Sequence, residues 1–157
     1  MKILVFSDTH RNTEPMIDII QNEKPDHIIH LGDHMRDAEE VQRRFPLLPV
    51  LSIKGNCDFE PDGREQALSD FYGVRILSVH GHRYGVKSGL LRYLYAAKEN
   101  QVDVALFGHT HQAYCDCREN LWIMNPGSCS GTRMSYGEII IDNNQVSCRI
   151  NYLDDWR

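Results

Sequence analysis

The sequence has 157 residues, of which 41% are hydrophobic and 25% charged, and its formal net charge is −5 at pH 7. This length fits one domain, predicted over residues 1–157, that buries about two-thirds of its unfolded surface. The acidic balance argues against a broad nucleic-acid-binding face, but not against an anionic ligand, because bound metal ions can invert local charge.

The N-terminus does not have the pattern of an export signal. Its apolar run is short and ends at Asp8. No segment approaches the roughly 20 apolar residues that span a bilayer. The expected location is therefore the cytoplasm. The five cysteines are odd in number and do not form two CxxC pairs, so we expect reduced thiols.

The first half of the chain alternates strand and helix patterns. Short apolar runs predict strands at Lys2–Phe6, His27–Leu31 and Pro49–Ile53. Helical spacing predicts helices over residues 14–22 and Asp37–Phe45. This alternation is typical of an α/β fold with a parallel sheet.

The second half is richer in strand patterns. A helix is predicted over Gly89–Asn100, with Leu90, Leu91, Leu94 and Ala97 on one face. The predicted strands are Gln66–Phe71, Val74–Val79, Val102–Phe107, Gln112–Cys117, Leu121–Met124, Gly137–Asp142 and Gln145–Ile150. The tail therefore indicates a second, largely antiparallel sheet. We expect two sheets packed face to face, with helices outside.

Five predicted strands are followed at once by polar residues that can bind metals. The motifs are Asp8-Thr9-His10, Gly32-Asp33-His34, Gly55-Asn56-Cys57-Asp58, His80-Gly81-His82 and Gly108-His109-Thr110-His111. Ligands of open α/β sheets gather at the carboxyl ends of the strands, so distant motifs can meet there. Each motif alone is as often, or more often, a simple turn or a pair of exposed strand-end histidines. All five motifs together, in this order and each at the end of a predicted strand, favour one shared metal site.

The residue types indicate which ions such a site would hold. Imidazole and carboxylate without thiolate suit Mn²⁺, Fe, Zn²⁺, Co or Ni²⁺ better than Mg²⁺ or Ca²⁺. Seven ligands are too many for one tetrahedral site and suit two divalent ions about 3.5–4 Å apart with a shared carboxylate. The predicted ligands are Asp8, His10, Asp33, Asn56, His80, His109 and His111.

With these motifs the sequence resembles the calcineurin-like metallophosphoesterase superfamily. Its length and its Gly-Asn-Cys-Asp variant are similar to the compact bacterial and archaeal phosphodiesterases, a subgroup that includes the eukaryotic retromer subunit. The resemblance implies a four-layer α/β/β/α sandwich of two mixed sheets with flanking helices. It also implies that Asp8, His10 and His111 hold one metal, that Asn56, His80 and His109 hold the other, and that Asp33 bridges them.

The resemblance implies a metal-dependent phosphodiesterase with two divalent ions, Mn²⁺ as the first choice. A hydroxide bridging the ions would attack phosphorus in line with the leaving oxygen. Asn56 and His82 are the candidate catalytic residues, and Arg11 is the candidate substrate-binding residue, although His82 at the rim and a solvated Arg11 are equally good interpretations. Many relatives have His where this chain has Cys57, so the residue that protonates the leaving oxygen is left open. The alternatives are His82, water, or no donor at all for substrates with good leaving groups.

Several alternatives remain open at this stage. A binding or scaffold module of the same fold would be expected to have lost ligands, and none of the seven is missing. A nuclease would be expected to carry extra domains or a basic groove. We therefore expect a small phosphoester substrate and no membrane or nucleic-acid partner, and a homo-oligomer would suit the family. The natural substrate, the preference for diesters over monoesters and the metal used in the cell are not encoded in these motifs.

Overall fold

The computed structural model describes residues 1–153, and within them the chain forms ten strands, three α-helices and one 3₁₀ helix. The strands are β1 Lys2–Phe6, β2 His27–His30, β3 Val50–Ser52, β4 Gln66–Phe71, β5 Val74–Val79, β6 Val104–Leu106, β7 Tyr114–Arg118, β8 Leu121–Asn125, β9 Ser135–Asp142 and β10 Gln145–Tyr152. The helices are α1 Glu14–Glu23, α2 Met35–Arg44 and α3 Leu91–Glu99, and the 3₁₀ helix is His82–Tyr84.

The strands form two mixed five-stranded sheets. The first has the order β10-β9-β1-β2-β3, and the second has the order β4-β5-β6-β8-β7. The predicted separate antiparallel sheet in the tail is wrong. β9 pairs antiparallel with β1 and carries β10 into the first sheet, whereas β7 and β8 join the second. The β9 residues Ile139 and Ile141 are buried between the sheets with Ile3, and this burial favours the pairing with β1.

Three apolar clusters define four layers. The cluster between the sheets contains residues such as Ile29 and Leu106, one from each sheet. A second cluster packs α1 and α2 on the outer face of the first sheet, and a third packs α3 on the outer face of the second sheet. The expected α/β class, with two mixed sheets and helices outside, is confirmed.

The buried face of α3 differs from the predicted one. Leu91 is 68% exposed, whereas Tyr93 is fully buried. The Tyr93 hydroxyl lies 3.0 Å from the carbonyl oxygen of Leu77 and 2.6 Å from that of Leu106, so the phenol is anchored to β5 and β6. An aromatic residue with a satisfied hydroxyl gains more from burial here than a leucine at the start of the helix.

The topology brings the ends of distant strands together. β1, β2 and β3 are parallel neighbours, so their carboxyl ends lie at one edge of the first sheet. β5, β6 and β8 are likewise parallel in the second sheet. In residues 1–153, none of the helices has the length and apolar character needed to cross a bilayer.

Candidate metal centre

Four of the predicted ligands form a compact group at the joined strand ends. Ligand atoms of Asp8, His10, Asp33 and His111 all lie within 4.8 Å of one another. The Nε2 atom of His111 lies 3.0 Å from Oδ1 of Asp8 and 3.4 Å from Nε2 of His10. Residues about one hundred positions apart in the sequence therefore meet at the end of β1.

The other three predicted ligands lie on the opposite side of Asp33. The Nε2 atom of His80 is 3.1 Å from Oδ1 of Asn56 and 3.4 Å from Oδ1 of Asp33. The His109 ring centroid is 5.0 Å from that of His80. Asp33 is thus the residue that the two halves of the cluster share.

Hydrogen bonding shows that these atoms suit a cation. His80 Nδ1 lies 2.7 Å from the carbonyl oxygen of Leu31, which can only accept, so Nδ1 carries the proton. In the neutral ring, Nε2 then presents a lone pair towards the oxygens of Asn56 and Asp33. Asp8 Oδ1 is buried and faces Nε2 of His111 at 3.0 Å. Carboxylate, amide and imidazole atoms that converge in this way fit divalent ions, and a carbonyl bond behind the imidazole is typical of metal ligands.

Backbone strain is concentrated at the same place. Asp8, Asp33, His109 and His111 have φ angles of 53°, 58°, 67° and 58°. Left-handed conformations cost non-glycine residues on the order of 1 kcal/mol each and persist only where the surroundings fix them. At these left-handed positions the backbone turns after each strand and directs the side chain into the site.

The Asp58 carboxylate fixes two of these loops. It is buried, and its Oδ2 accepts hydrogen bonds from the backbone N–H groups of Asp33 at 2.9 Å and Gly55 at 2.8 Å. Its Oδ1 accepts from those of His34 and Met35, both at 2.8 Å. The last two donors begin α2, where a negative charge is stabilising. One side chain therefore joins the Gly-Asp loop, the Gly-Asn loop and a helix N-terminus.

A second buried chain of hydrogen bonds supports the first loop. The N–H of Gly32 donates to Nδ1 of His30, so Nε2 of that ring donates to Thr9 Oγ1 at 3.0 Å. The Thr9 hydroxyl donates in turn to Asp37 Oδ2 at 2.5 Å, which also accepts from the N–H of Arg11 at 2.9 Å. Burial lowers the pKa of His30 to about 4, so the ring is neutral at pH 7.

The loop at residues 125–130 ties the two sheets together. Asn125 Nδ2 donates to Gly108 O at 3.0 Å and to Thr110 Oγ1 at 2.9 Å, and so holds the Gly-His-Thr-His loop. The hydroxyl groups of Ser128 and Ser130 lie 2.7 and 3.1 Å from the carbonyl oxygen of Asp8. The loop therefore spans from β8 to the end of β1.

The remaining predicted site residues lie at the rim. The His82 ring is half-buried, with its centroid 5.5 Å from that of His80 and 6.2 Å from that of His109. Arg11 is exposed, and its guanidinium makes no hydrogen bond or ion pair within residues 1–153. Cys57 is exposed beside Asn56, and its N–H donates to Asp33 Oδ1 at 2.9 Å.

The protonation of the site favours cation binding. Burial opposes the charge of Asp33, but hydrogen bonds from Cys57 and the nearby imidazoles lower its pKa below the usual value. Burial also lowers the pKa values of His82 and His109, with nearby His80 adding to the shift. An ionised carboxylate and neutral imidazoles are the forms that bind metals.

The sequence motifs did not identify the supporting residues Thr9, Asp37 and Asp58 as functional. Asp58 belongs to the Gly-Asn-Cys-Asp motif, for which a turn was one interpretation, and Asp37 was placed only in a predicted helix. The available signal was an acidic residue beside each ligand loop: Asp58 three positions after Gly55, and Asp37 in the first turn of α2. Which backbone donors these carboxylates reach depends on the tertiary fold.

Comparison with known proteins agrees with this geometry. The profile of the calcineurin-like phosphoesterase superfamily domain matches residues 1–142. A probable metallophosphoesterase of Bacillus subtilis, YsnB, is 34% identical over 156 residues, covering 95% of this chain and 89% of the relative. The phosphodiesterase MJ0936 of Methanocaldococcus jannaschii is 29% identical over 150 residues, covering 83% and 86%.

Solved structures share the fold. A predicted phosphoesterase from Streptococcus pneumoniae superposes with a TM-score of 0.82 at 24% identity, covering 98% of this chain and 90% of the other. Vps29 of Entamoeba histolytica, in complex with Zn²⁺, gives a TM-score of 0.74 at 18% identity, covering 97% and 99%. At these sequence identities the similarity shows a shared fold and no more. The profile match and the YsnB relationship establish more: the chain belongs to the calcineurin-like phosphoesterase superfamily and is a phosphoric ester hydrolase.

Proposed function

We propose that the chain is a phosphodiesterase that uses two divalent metal ions. One ion would be held by Asp8, His10 and His111, the other by Asn56, His80 and His109, and Asp33 would bridge them. The observation that carries this proposal is the convergence of acceptor atoms on both sides of Asp33. On one side His80 Nε2 lies 3.4 Å from Asp33 Oδ1, and on the other four ligand atoms lie within 4.8 Å of one another.

The donor set supports the choice of metals. Oxygen and imidazole nitrogen without thiolate suit Mn²⁺, the ion that we propose first, with Fe, Zn²⁺, Co and Ni²⁺ as alternatives. When bound, a pair of such ions lowers the pKa of water, so that hydroxide is available for in-line attack on phosphorus, and withdraws charge from the phosphate oxygens.

The protein's own groups would position the substrate. Asn56 and His82 would contact a phosphate bound at the centre, and the distance of 5.5 Å between the ring centroids of His82 and His80 supports this role for His82. The exposed Arg11 follows His10 directly, so its guanidinium is free to contact a phosphate oxygen. The leaving oxygen would take its proton from His82 or water rather than from the Cys57 thiol, which lies beside Asn56. Burial and the nearby Asp33 carboxylate raise the pKa of this thiol, so it keeps its proton at neutral pH.

The test is metal-dependent hydrolysis. Metal-free protein is expected to be inactive on bis-p-nitrophenyl phosphate and to recover with Mn²⁺. Asp33→Asn should lose at least about a hundredfold in kcat/KM while its circular dichroism spectrum is unchanged, because the shared ligand loses its charge. Asp18→Asn, on the exposed face of α1, is the matched control and should keep full activity. Wild-type rates for Asp33→Asn would disprove the bridging role.

The likeness to Vps29 supports one rival, a binding module that keeps the fold without efficient catalysis. All seven candidate ligands are retained, which favours the enzyme. A chain with no metal-dependent turnover of any ester and a stable complex with a large partner would favour the rival.

We propose a small phosphoester rather than a polynucleotide as substrate, and the absence of Mn²⁺-dependent cleavage of single-stranded DNA or RNA would separate the two. A single domain over residues 1–157, a cytoplasmic location and a homo-oligomer stay predictions, and residues 154–157 of that domain lie outside the described part of the chain.

A further inference from the structure

A pocket adjoins the candidate centre at the end of β5. Its volume is about 260 Å³, and its lining includes Glu65, Gln66, His82, Arg83, Tyr84 and Arg92. The segment His80–Gly81–His82 bounds both the pocket and the centre. A substituent of a ligand bound at the centre can therefore extend into this pocket.

A ring contact, a hydrogen bond and a tight turn fix part of the pocket wall. Tyr84 packs against Tyr93 with ring centroids 5.2 Å apart, and its hydroxyl donates to Gln66 at 3.1 Å. Gly81 has a φ of 114°, and a Cβ there would lie 2.8 Å from Val86, so this tight turn requires glycine. A pocket already formed in the free protein loses less entropy on binding than one that must be ordered.

The charges of the pocket are predominantly positive. Arg83 pairs with Glu65 at 2.5 Å, whereas Arg92 makes no ion pair within residues 1–153. The His82 Nδ1 atom, at the junction with the centre, is buried without a hydrogen-bond partner among the described residues. A guanidinium presents paired N–H donors that match carboxylate and phosphate oxygens. One cation therefore remains uncompensated in a chain of net charge −5.

We propose that this pocket, the Arg92 pocket, binds a second anionic group on the substrate. The inference rests on the proposed function and specifies its substrate class: phosphodiesters whose retained alcohol ends in a carboxylate or a phosphate. The scissile phosphate lies at the metal centre, and the distal anion pairs with Arg92. The volume of the pocket, equivalent to about nine water molecules, holds a short substituent rather than an oligonucleotide.

Matched substrates test the pocket. The esters 2-carboxyethyl p-nitrophenyl phosphate and n-propyl p-nitrophenyl phosphate have the same leaving group and differ in the distal charge. The Mn²⁺-loaded wild type is expected to prefer the charged ester about fivefold in kcat/KM, and the preference should shrink as salt rises. A third ester with a distal phosphate distinguishes the two anions. Equal rates for charged and neutral esters would overturn the proposal.

Two variants should move the preference in opposite directions. Arg92→Gln is expected to bring the charged-to-neutral ratio near one by lowering kcat/KM for the charged ester. Glu65→Gln releases Arg83 from its ion pair and should raise the ratio. Arg43→Gln removes the same charge from the exposed face of α2, where Arg43 pairs with Glu40, and should leave the ratio unchanged. A ratio that is insensitive to both pocket variants would exclude the pocket.

Equilibrium binding separates this inference from the proposed function. Calorimetry with 3-phosphonopropanoate and propylphosphonate measures the same charge difference without any turnover. Tighter binding of the charged phosphonate, lost in Arg92→Gln, would support the pocket even if neither ester were hydrolysed. Inactivity on both esters would then count against the phosphodiesterase alone, and equal binding of both phosphonates would count against the pocket.

Discussion

Replacing Asp58 with asparagine should weaken metal binding although Asp58 is not a candidate ligand. Its two carboxylate oxygens each accept two backbone N–H bonds, from Asp33 and Gly55 on one side and from His34 and Met35 on the other. An asparagine offers one accepting oxygen, and its amide N–H₂ would face the other two donors. The shared candidate ligand and the start of α2 cannot then both stay in place.

The magnitude follows from those bonds. Hydrogen bonds to a charged group contribute about 1.5–3 kcal/mol each, so losing two costs about 4 kcal/mol. For a chain of this size that corresponds to a fall in Tm of about 10 °C. Because Asp33 shifts with its N–H, Mn²⁺ affinity should also fall at least tenfold, equivalent to about 1.4 kcal/mol.

Calorimetric titration with Mn²⁺ at a temperature where both proteins are folded measures the affinity. Asp103→Asn is the matched control, since Asp103 accepts the N–H of Arg75 at 2.8 Å and lies at the start of β6, the end opposite the site. It should lower Tm without changing metal affinity. If Asp58→Asn bound Mn²⁺ like the wild type and melted at the same temperature, the role assigned to this carboxylate would be refuted.

Three further substitutions test other parts of the site. The lowered pKa of His30, about 4 against 6.5 unfolded, means that the unfolded chain binds more protons between these values. The free energy of unfolding should therefore fall as pH drops from 6.5 to 4. Urea unfolding of His30→Gln should show a smaller fall over the same pH range, and an equal fall in both proteins would contradict this reasoning. Gly55→Ala should reduce Mn²⁺ affinity, because a Cβ would collide with the Asp33 carboxylate. An unchanged Mn²⁺ affinity in calorimetric titration would show that the loop moves to accommodate the methyl group. Cys57→His should raise the hydrolysis rate of alkyl esters about tenfold or more but leave that of nitrophenyl esters nearly unchanged, because an imidazole can protonate a poor leaving group. The measurement is the dependence of rate on leaving-group pKa. Equal rate changes for both kinds of ester would show that the wild type does not lack a proton donor.

The parts of the fold that local patterns determine were predictable. The hairpin of β4 and β5 has the predicted bounds, because alternation and the Tyr72–Gly73 turn are both encoded in adjacent residues. The sheet to which β9 belongs was not predictable, since its pairing with β1 joins residues more than one hundred positions apart. Similarly, helical spacing placed Leu91 on the predicted apolar face and left Tyr93 out, whereas the hydrogen bonds of the tyrosine hydroxyl to carbonyl oxygens of β5 and β6 accompany its burial.

The candidate ligands were more predictable than their supports. A residue that lies within three positions of a strand end, such as Asp8 after β1 or His109 after β6, is placed at the sheet edge by the strand itself. The supporting carboxylates act through backbone groups brought close by the fold, as Asp37 does with Thr9. Sequence spacing gives no information on such contacts, so the residues that fix the ligands were identified only in three dimensions.

The charge of the site explains why composition is a poor guide to the substrate. Asp8 and Asp33 direct carboxylates into the centre, and the buried Asp37 and Asp58 lie behind them. A phosphodiester anion approaching these groups alone would be repelled. The two proposed divalent ions would bring more positive charge than the two inward carboxylates carry negative charge, and would so offset this repulsion. The same ions would therefore be required to bind the substrate as well as to activate water, and an acidic chain can act on anionic esters.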